Sequence, residues 1–298
     1  MTEHAPSTAP AAAALAGGHR RGVLAPAVTA APVQGSAAAV RDAALAVPLP
    51  RLHVLLTRQD VDLARLGNQV VVVVDALVGT STIVHALAHG AAAVWPARDA
   101  EHARAIATRL HAPVVAGEWA GMAIDGLAPA TPAALVAAMP RGADVVLATT
   151  NGTVALATLG GLGAVGGVGA SGAATAVYAL APANVAATAA HLLHAHHDAD
   201  VLVVCAGSAG RVNLEDACCA GLLVARLQAA ASHAPSDAAL LAAAAAASPD
   251  LLATFRAART GRALQAVGLD DEVVLAARID TCDVVAALRA GRVFAVAP

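Results

Sequence analysis

The chain has 298 residues, a formal net charge of −3, and a composition that is 58% hydrophobic but only 2% aromatic. Because the sequence is not basic and offers little aromatic stacking surface, we do not expect nucleic acid as a partner. The alanine tract near Leu240 is too short to span a bilayer, so we expect no membrane association. The four cysteines lack the spacing of a zinc site and fit small buried thiols in a reducing cytoplasm, where we expect the protein to be located.

The first fifty residues differ in composition from the remainder. Residues 1–50 are rich in alanine and proline and lack a sustained apolar segment, which predicts a disordered extension. Residues 51–298 alternate short apolar runs with helix-like segments, which is typical of a layered α/β/α domain with a mostly parallel or mixed sheet. The predicted strands are Leu52–Leu56, Val70–Val74, Ala92–Trp95, Pro113–Ala116, Asp144–Ala148, Val201–Cys205 and Arg292–Val296. The predicted helices are Thr80–Ala88, Asp99–Leu110, Val177–His194 and one starting at Asn213 with mostly helical chain after it, while Gly160–Gly169 is predicted to be strand or loop.

The segment from Val201 to Gly221 combines a predicted strand, a glycine turn and the start of a helix. Gly207 and Gly210 permit a sharp turn and a close approach of the backbone to a ligand. Glu215 and Asp216 lie in the first turn of the predicted helix, where free backbone N–H groups attract anions. Ligands of open α/β sheets bind at the carboxyl ends of the strands. The same residues also fit simple helix capping by the preceding asparagine, with the two carboxylates at the positive end of the helix, so this segment alone leaves both interpretations open.

Polar side chains follow several other predicted strands. Asp75 ends the valine run, with Ser81 and Thr82 just beyond it, Glu118 follows a strand-like segment, and Thr149–Thr153 follows another. Carboxylates that converge with few basic neighbours suit a hard divalent cation such as Mg²⁺. Hydroxyls and backbone amides suit phosphate oxygens. The sequence contains no lysine, so any cationic side chain that binds an anion has to be an arginine.

Each of these features also has an ordinary structural interpretation. Asp75 fits a helix cap, and Asn151-Gly152 fits a turn. The histidines between positions 191 and 197 resemble a metal cluster, but they fit a solvated end of an alanine-rich helix better. The sequence has neither a Walker A motif nor GxGxxG. Spacing alone therefore supports a metal-and-anion site and nothing more specific.

Taken together, the motifs resemble one family. VVVVDALVGTSTIVHAL, the Gly117-Glu118 pair, ATTNGT, VCAGSAGRVNLEDACCAG and DTCDVVAALRAG follow the order and spacing of the 2-phosphosulfolactate phosphatase family. The resemblance covers about Leu52 to Val296. It implies an α/β protein that is a Mg²⁺-dependent acid phosphatase acting on 2-phospho-3-sulfolactate in the route to coenzyme M.

The chain departs from the family pattern at positions that concern anions. Val78 stands where the family has an arginine, which removes a bidentate anion ligand. Trp119 replaces a second arginine, and the segment from Gly126 to Pro132 is one residue shorter and lacks the family's aspartate and asparagine. Ala170–Ala173 replaces an SLLN-like segment. The carboxylates remain, so the pattern keeps a metal site and weakens the anion clamp.

From the residues and the resemblance we expect a Mg²⁺-dependent hydrolase of a small phosphorylated acid, with the oligomeric state open and a homo-oligomer possible. The residues expected to hold the metal and its water are Asp75, Glu118, Glu215 and Asp216. The residues expected to hold the substrate are Ser81, Thr82, Thr149, Thr150, Asn151, Gly152, Thr153, Gly207, Gly210 and Arg211. The alternative is a catalytically degenerate member that binds a small anionic metabolite, or a partner, without turnover.

Overall fold

The computed structural model describes residues 49–165 and 174–296, which belong to one compact unit. The strands are β1 Arg51–Leu55, β2 Gln69–Val74, β3 Ala93–Ala97, β4 Val114–Trp119, β5 Met122–Ala123, β6 Asp144–Ala148, β7 Ala176–Leu180, β8 Asp200–Cys205, β9 Ala234–Pro235, β10 Val285–Arg289 and β11 Arg292–Val296. The helices are α1 Gly79–His89, α2 Ala100–Ala107, α3 Pro132–Ala138, α4 Gly152–Val165, α5 Val185–Ala195, α6 Leu214–Ala229, α7 Asp237–Ala246, α8 Leu251–Ala257, α9 Arg259–Ala266 and α10 Asp270–Ala276. The disorder predicted for residues 1–50 falls, except for its last two residues, outside the described residues.

The strands form one mixed sheet in the order β5-β4-β6-β3-β11-β10-β7-β2-β8-β1-β9. One parallel group consists of β7, β2, β8, β1 and β9, and a second consists of β3, β6 and β4. The hairpin β10–β11 lies between the two groups and pairs antiparallel with both. Three antiparallel pairings in succession make the two groups run in opposite directions. The predicted α/β fold with a mixed sheet is confirmed.

The carboxyl ends of both parallel groups nevertheless meet. Asp75, directly after β2, accepts a hydrogen bond from the backbone of Gly152, which begins the helix after β6. In a flat sheet these two carboxyl ends would lie on opposite sides, whereas this hydrogen bond shows that they are in contact. Both groups also bury side chains against α1 and α4, including Ile83 and Leu156, in one shared core.

The valine run of β2 is buried on both faces, as its sequence predicts. Three of its valines face one core with Leu192 and Leu223, and the alternate two face a second core with Ile83 and Leu156. Each buried valine side chain contributes roughly 1.5–3 kcal/mol, so β2 is a rigid support for the residue that follows it. Of the four thiols predicted to be buried, Cys205, Cys218 and Cys219 belong to the first of these cores, whereas Cys282 is only half-buried and packs against the second.

Three predictions of secondary structure are wrong. Val177–His194 is not one helix, because its first residues belong to β7 and α5 begins only at Val185. Pro182 separates the two elements, as expected of a residue that cannot continue a helix. Strand β10 lies in chain predicted to be helical, and Gly160 to Val165 belongs to α4 rather than to a strand or loop. The remainder of the Gly160–Gly169 prediction lies outside the described residues.

The alanine tract near Leu240 forms α7, which is capped by the hydroxyl of Ser236. In the part of the chain that the structure describes, no single helix is long and apolar enough to cross a membrane. By length and composition alone α7 and α8 pass that test as a pair, but they are bent by 107° at the break between them.

Candidate active site

Asp75 lies at the carboxyl end of β2 between two glycines. Its Oδ2 atom accepts a hydrogen bond of 2.8 Å from the N–H of Gly152. A Cβ atom at either Gly79 or Gly152 would lie 2.5 Å from this oxygen, closer than side chains approach in practice. The backbone N–H of Asp75 donates to Thr80 Oγ1 at 2.8 Å, which fixes the main chain as well. The backbone of Gly79, the first residue of α1, also lowers the pKa of the Asp75 carboxyl by hydrogen bonding, so this carboxylate binds the starts of both α1 and α4.

The predicted phosphate-binding segment Thr149–Thr153 joins β6 to α4. The N–H of Thr149 donates to Thr153 Oγ1 at 2.7 Å, and that hydroxyl donates to the carbonyl of Thr149 at 3.0 Å. Both threonines are buried, whereas Thr150 and Asn151 between them are half-buried. Asn151 Nδ2 donates to Ser208 Oγ at 3.2 Å and so links this segment to the turn after β8. The segment is a rigid support with its central residues towards solvent.

Glu118, near the end of β4, is bound to Thr150 and to its own hairpin. Its Oε1 atom accepts hydrogen bonds from the N–H and the hydroxyl of Thr150 at 2.6 and 2.9 Å. Its Oε2 atom accepts a hydrogen bond of 2.7 Å from the N–H of Gly121. These contacts join the β4–β5 hairpin to the start of α4, so Glu118 positions the segment that contains Thr150.

The turn Gly207–Arg211 follows β8 and is closed by reciprocal backbone hydrogen bonds of 2.9 and 3.0 Å between Ser208 and Arg211. Gly207, Ala209 and Gly210 have positive φ angles of 61°, 50° and 69°, which explains the need for glycine at the two ends of this group. Ala209 and Gly210 are exposed, and their N–H groups donate to none of the described residues. Two amides of this turn are therefore free to bind a ligand.

Asp216 is fully buried and holds two segments of the site together. Its Oδ1 atom accepts a hydrogen bond of 2.8 Å from the N–H of Ala76, after β2. Its Oδ2 atom accepts a hydrogen bond of 3.1 Å from the N–H of Gly207, after β8. Because both oxygens bind backbone amides and neither is exposed, Asp216 has a positioning role in this arrangement.

Glu215 differs from the other three acidic residues because few protein groups approach its carboxylate. Only 1% of its surface is exposed. Within residues 49–165 and 174–296, neither of its carboxylate oxygens has a partner at good hydrogen-bond geometry, although the hydroxyl of Thr260 and the N–H of Glu215 itself lie near enough to lower its pKa. A buried carboxylate without a partner destabilises a fold unless a cation compensates its charge.

Burial raises the pKa values of Asp75, Glu215 and Asp216, and neighbouring carboxylates add to the rise for Asp75 and Asp216. Burial is the largest of the effects that raise the pKa of Asp75 to about 7; the hydrogen bond from Gly152 opposes the rise, and the charges of Glu118 and Glu215 add to it. Burial, followed by the charges of Asp75 and Glu215, raises the pKa of Asp216 well above its usual value. Burial also raises the pKa of Glu215. A cation at this place would relieve the repulsion among these groups.

The pKa of Asp75 predicts how the stability of the metal-free protein depends on pH. The folded protein binds more protons than the unfolded chain between the usual pKa of 3.8 and the raised value of about 7, so its free energy of unfolding should fall as pH rises through that range. Mg²⁺ should flatten this fall, because a bound cation replaces the protons. Melting temperatures in EDTA and in Mg²⁺, between about pH 5 and pH 8, would check both statements, and a midpoint that rises with pH in EDTA would contradict them.

Two residues predicted to bind the substrate have structural roles instead. Ser81 Oγ donates to the carbonyl of Ala76 at 2.5 Å, and Thr82 Oγ1 donates to the carbonyl of Ala130 at 2.7 Å. Both side chains are fully buried in α1. Their hydroxyl protons are already used, so we correct the prediction that they contact the substrate.

The four acidic residues do not form a closed metal cage. Among the described residues, no group of three or more acidic, histidine or cysteine side chains is arranged to hold one metal ion. Both oxygens of Glu118 and of Asp216 accept backbone amides, which leaves Asp75 and Glu215 with the most acceptor capacity. Two carboxylates fit Mg²⁺, which keeps several waters and also binds phosphate oxygens.

The histidines between positions 191 and 197 are separate from this site. The Nε2 atoms of His191 and His196 lie 3.0 and 2.8 Å from the hydroxyl of Tyr178, with the three rings in edge-to-face contact. Burial lowers the pKa of both histidines, so the interpretation as a solvated helix end holds only in part. One imidazole donating to the hydroxyl and one accepting from it satisfies all three groups.

Sequence motifs do not identify Arg259, the first residue of α9. Its Nη2 atom donates to Asn213 Oδ1 at 2.6 Å and lies 3.4 Å from the carbonyl of Ser208. Asn213 precedes α6 but makes no side-chain capping bond to it, so its predicted capping role is wrong. The charge of Arg259 opposes the rise in the pKa of Glu215 that burial causes. Arg259 lies far from every motif along the chain, and only the fold brings it to the site.

The sequence model of the family described as 2-phosphosulpholactate phosphatase matches residues 55–291, a range that contains all the site residues described above. The chain belongs to this family. It is 31% identical over 224 residues to a protein of Deinococcus radiodurans named probable 2-phosphosulfolactate phosphatase, with 74% of this chain and 88% of the relative covered. Proteins of the same name from Thermus thermophilus and Gloeobacter violaceus are each 32% identical, over 75% and 70% of this chain and 89% and 84% of their own lengths. The resemblance inferred from the motifs is confirmed.

Two departures from the family pattern lie next to site residues. Val78, where the family pattern has arginine, is the residue before α1 and packs partly buried against the first core. Trp119, where the pattern has a second arginine, directly follows Glu118, and 59% of its surface is exposed. Neither position therefore offers a cationic side chain to the site.

Proposed function

We propose that this protein is a Mg²⁺-dependent phosphatase of small phosphate monoesters, with 2-phosphosulfolactate as the first substrate to test. Membership of the family supports phosphoric monoester hydrolysis. The observation that carries the proposal is Glu215, whose buried oxygens have no well-formed hydrogen bond and only the Thr260 hydroxyl and its own N–H nearby, and whose charge acts on Asp75 and Asp216. Such a group is expected where a cation completes the site.

Asp75 and Glu215 are the residues that we assign to Mg²⁺. When bound, the ion would polarise a phosphoryl oxygen and lower the pKa of a coordinated water. Glu118 orients Thr150 through its three hydrogen bonds. Asp216 holds the backbone on either side of the site through the amides of Ala76 and Gly207. These two carboxylates are thus positioning residues in the proposal, rather than direct ligands.

The phosphoryl group is assigned to the two loops that Asn151 joins. The Thr149–Thr153 segment and the Gly207–Arg211 turn are linked through the hydrogen bond from Asn151 Nδ2 to Ser208 Oγ. The turn offers the free amides of Ala209 and Gly210, and exposed backbone N–H groups in such turns bind phosphate oxygens. The raised pKa of Asp75 means that protons leave the site when the cation enters it.

Phosphate release by the purified protein, with Mg²⁺ and with EDTA, tests the proposal. The panel should contain 2-phosphosulfolactate, other phosphorylated 2-hydroxy acids and a phosphate monoester that carries no charge apart from its phosphate group. We expect turnover that requires Mg²⁺, because a site lined by acidic residues repels a phosphate dianion unless a cation is bound. No release from folded protein would favour the non-catalytic alternative, and the double variant Val78→Arg, Trp119→Arg would then show whether the missing guanidinium groups are the cause.

A further inference from the structure

We propose that Arg259 binds an anionic oxygen of the substrate and supplies a positive charge at the anion site. The inference rests on the proposed phosphatase function and assigns one further binding residue to the same site. It concerns a residue on α9, far along the chain from every motif of the site.

Arg259 is in contact with two elements of the candidate anion site. Its Nη2 atom donates to Asn213 Oδ1 at 2.6 Å, and the same atom lies 3.4 Å from the carbonyl of Ser208. Ser208 in turn accepts a hydrogen bond from Asn151. One guanidinium group therefore touches both the turn after β8 and the residue that precedes α6.

Most of the hydrogen-bonding capacity of this guanidinium group is unused. Arginine has five N–H donors, and both contacts within the described residues are made by Nη2. Arg259 is exposed, so its remaining donors are accessible to a small molecule. An arginine with a purely structural role would be expected to form hydrogen bonds to protein atoms with more of its N–H groups.

The contact between Arg259 and Asn213 also leaves α6 without a side-chain cap at its first residue. The side-chain oxygen of Asn213 would ordinarily cap this helix, but it accepts from Arg259 and makes no capping bond. The first amides of a 16-residue helix thus lie next to the guanidinium group and the free amides of Ala209 and Gly210. Glu215, a buried carboxylate close to the hydroxyl of Thr260 on α9, belongs to the first turn of that helix.

A local cation is needed because the site is acidic. The carboxylates of Asp75, Glu215 and Asp216 repel one another, and a phosphate dianion would add to that repulsion. Arg211, the arginine that the motif indicates, is exposed, and it enters the turn through its backbone. Arg259 is the arginine whose side chain is already held against the site by a hydrogen bond. A guanidinium group can bind two phosphate oxygens at once, which an ammonium group cannot.

Binding of inorganic phosphate to the full-length protein in the presence of Mg²⁺, measured by calorimetry, tests the assignment. Arg259→Ala should raise the dissociation constant about ten- to hundredfold, the usual effect of losing a charged hydrogen bond. The dissociation constant of Arg259→Lys should lie between those of the unaltered protein and of Arg259→Ala, because lysine keeps the positive charge but lacks the planar, two-pronged guanidinium group. Arg262→Ala is the control, because it removes a positive charge about one turn further along α9. It should change the dissociation constant for phosphate by less than about twofold.

The structural alternative is that Arg259 acts only by holding Asn213. In that case Asn213→Ala would weaken phosphate binding as much as Arg259→Ala does, and the proposal would be overturned. An unchanged dissociation constant in Arg259→Ala, or a loss confined to Arg211→Ala, would overturn it as well. Melting temperatures of all variants exclude a loss of folded protein as the cause.

The two proposals fail in distinguishable ways. Phosphate binding that depends on Arg259, in a protein without turnover, would support the assignment and contradict the phosphatase function. Mg²⁺-dependent turnover with unchanged phosphate binding and KM in Arg259→Ala would support the function and contradict the assignment. No phosphate binding by the unaltered protein would contradict both.

Discussion

Replacing Glu215 by glutamine is expected to abolish Mg²⁺-dependent phosphate release and to remove the stabilisation of the fold by Mg²⁺. Both carboxylate oxygens of Glu215 are buried, and among the described residues they have no well-formed hydrogen bond, with only the Thr260 hydroxyl and the N–H of Glu215 itself nearby, so the ion is the partner that we propose for them. An amide has one oxygen and no charge, and we expect the affinity for Mg²⁺ to fall about hundredfold or more. In EDTA the variant should be more stable than the unaltered protein, because a buried charge has been removed.

Melting temperatures measured in EDTA and at a saturating Mg²⁺ concentration separate these effects. A ligand present at a hundred times its dissociation constant stabilises a protein by about 2.7 kcal/mol, a shift that is readily measured. The unaltered protein should show such a shift, and Glu215→Gln should not. A variant that retains both the Mg²⁺ shift and the turnover would show that Glu215 is not a metal ligand.

Glu272→Gln is the matched control, since Glu272 is also a buried glutamate but has all its partners. Its oxygens accept from the hydroxyl of Thr131 at 2.7 Å and from the amides of Ala133 and Ala134 at 2.8 and 3.0 Å. Replacing it should cost about 1–3 kcal/mol of stability in EDTA, because acceptors of buried N–H groups are lost. It should leave the Mg²⁺ shift unchanged. In EDTA, Glu215→Gln should thus raise the stability and Glu272→Gln should lower it. This difference in sign distinguishes a carboxylate that binds a ligand from one that stabilises the fold.

The elements that the sequence predicts well are those with a strong local signal. Five consecutive valines ending in an aspartate predict a strand buried on both faces, and β2 has that form. Asp144–Ala148 agrees with β6 in its bounds, and the glycines of the Gly207–Arg211 turn have the positive φ angles that their spacing indicates. In each case the burial or the backbone angle is dictated by residues that are neighbours in the chain.

The predictions that fail depend on distant parts of the chain. Strand β10 lies between the two parallel groups as part of a hairpin, and its sequence does not distinguish it from the helical chain before it, whereas its partner β11 has the bounds predicted for it. Strand β7 has an alanine-rich sequence that suits a helix, and its pairing with β2 and β10 overrides that preference. Its boundary was nevertheless readable, because Pro182 lies within the predicted helix.

The candidate site shows the same division between local and distant information. The motifs locate all four acidic residues, and the structure shows that their charges interact. They do not show that Glu215 lacks well-formed hydrogen bonds while Asp216 accepts two, since this depends on the amides of Ala76 and Gly207. Arg259 carries no motif at all and reaches the site through the packing of α9.

Gly152→Ala is expected to eliminate phosphate release, because it removes the space that the Asp75 carboxylate occupies. The added Cβ atom would lie 2.5 Å from Asp75 Oδ2 and 2.7 Å from Asp75 Cβ, so either the aspartate or the start of α4 has to move. Overpacking of this kind costs typically about 1–3 kcal/mol of stability. Displacement of a proposed metal ligand by a fraction of an ångström should reduce turnover about a hundredfold or more.

Gly160→Ala in the same helix separates this effect from a general effect of alanine on α4. At Gly160 the nearest atoms to the added Cβ lie 3.5 Å away, which is an ordinary contact. Alanine is favoured over glycine in a helix by roughly 0.5–1 kcal/mol, so this variant should be slightly more stable and fully active. Turnover and melting temperature measured on both variants give the comparison. If Gly152→Ala kept its activity, the carboxylate of Asp75 would have to work from a different position, and its assignment to Mg²⁺ would be wrong.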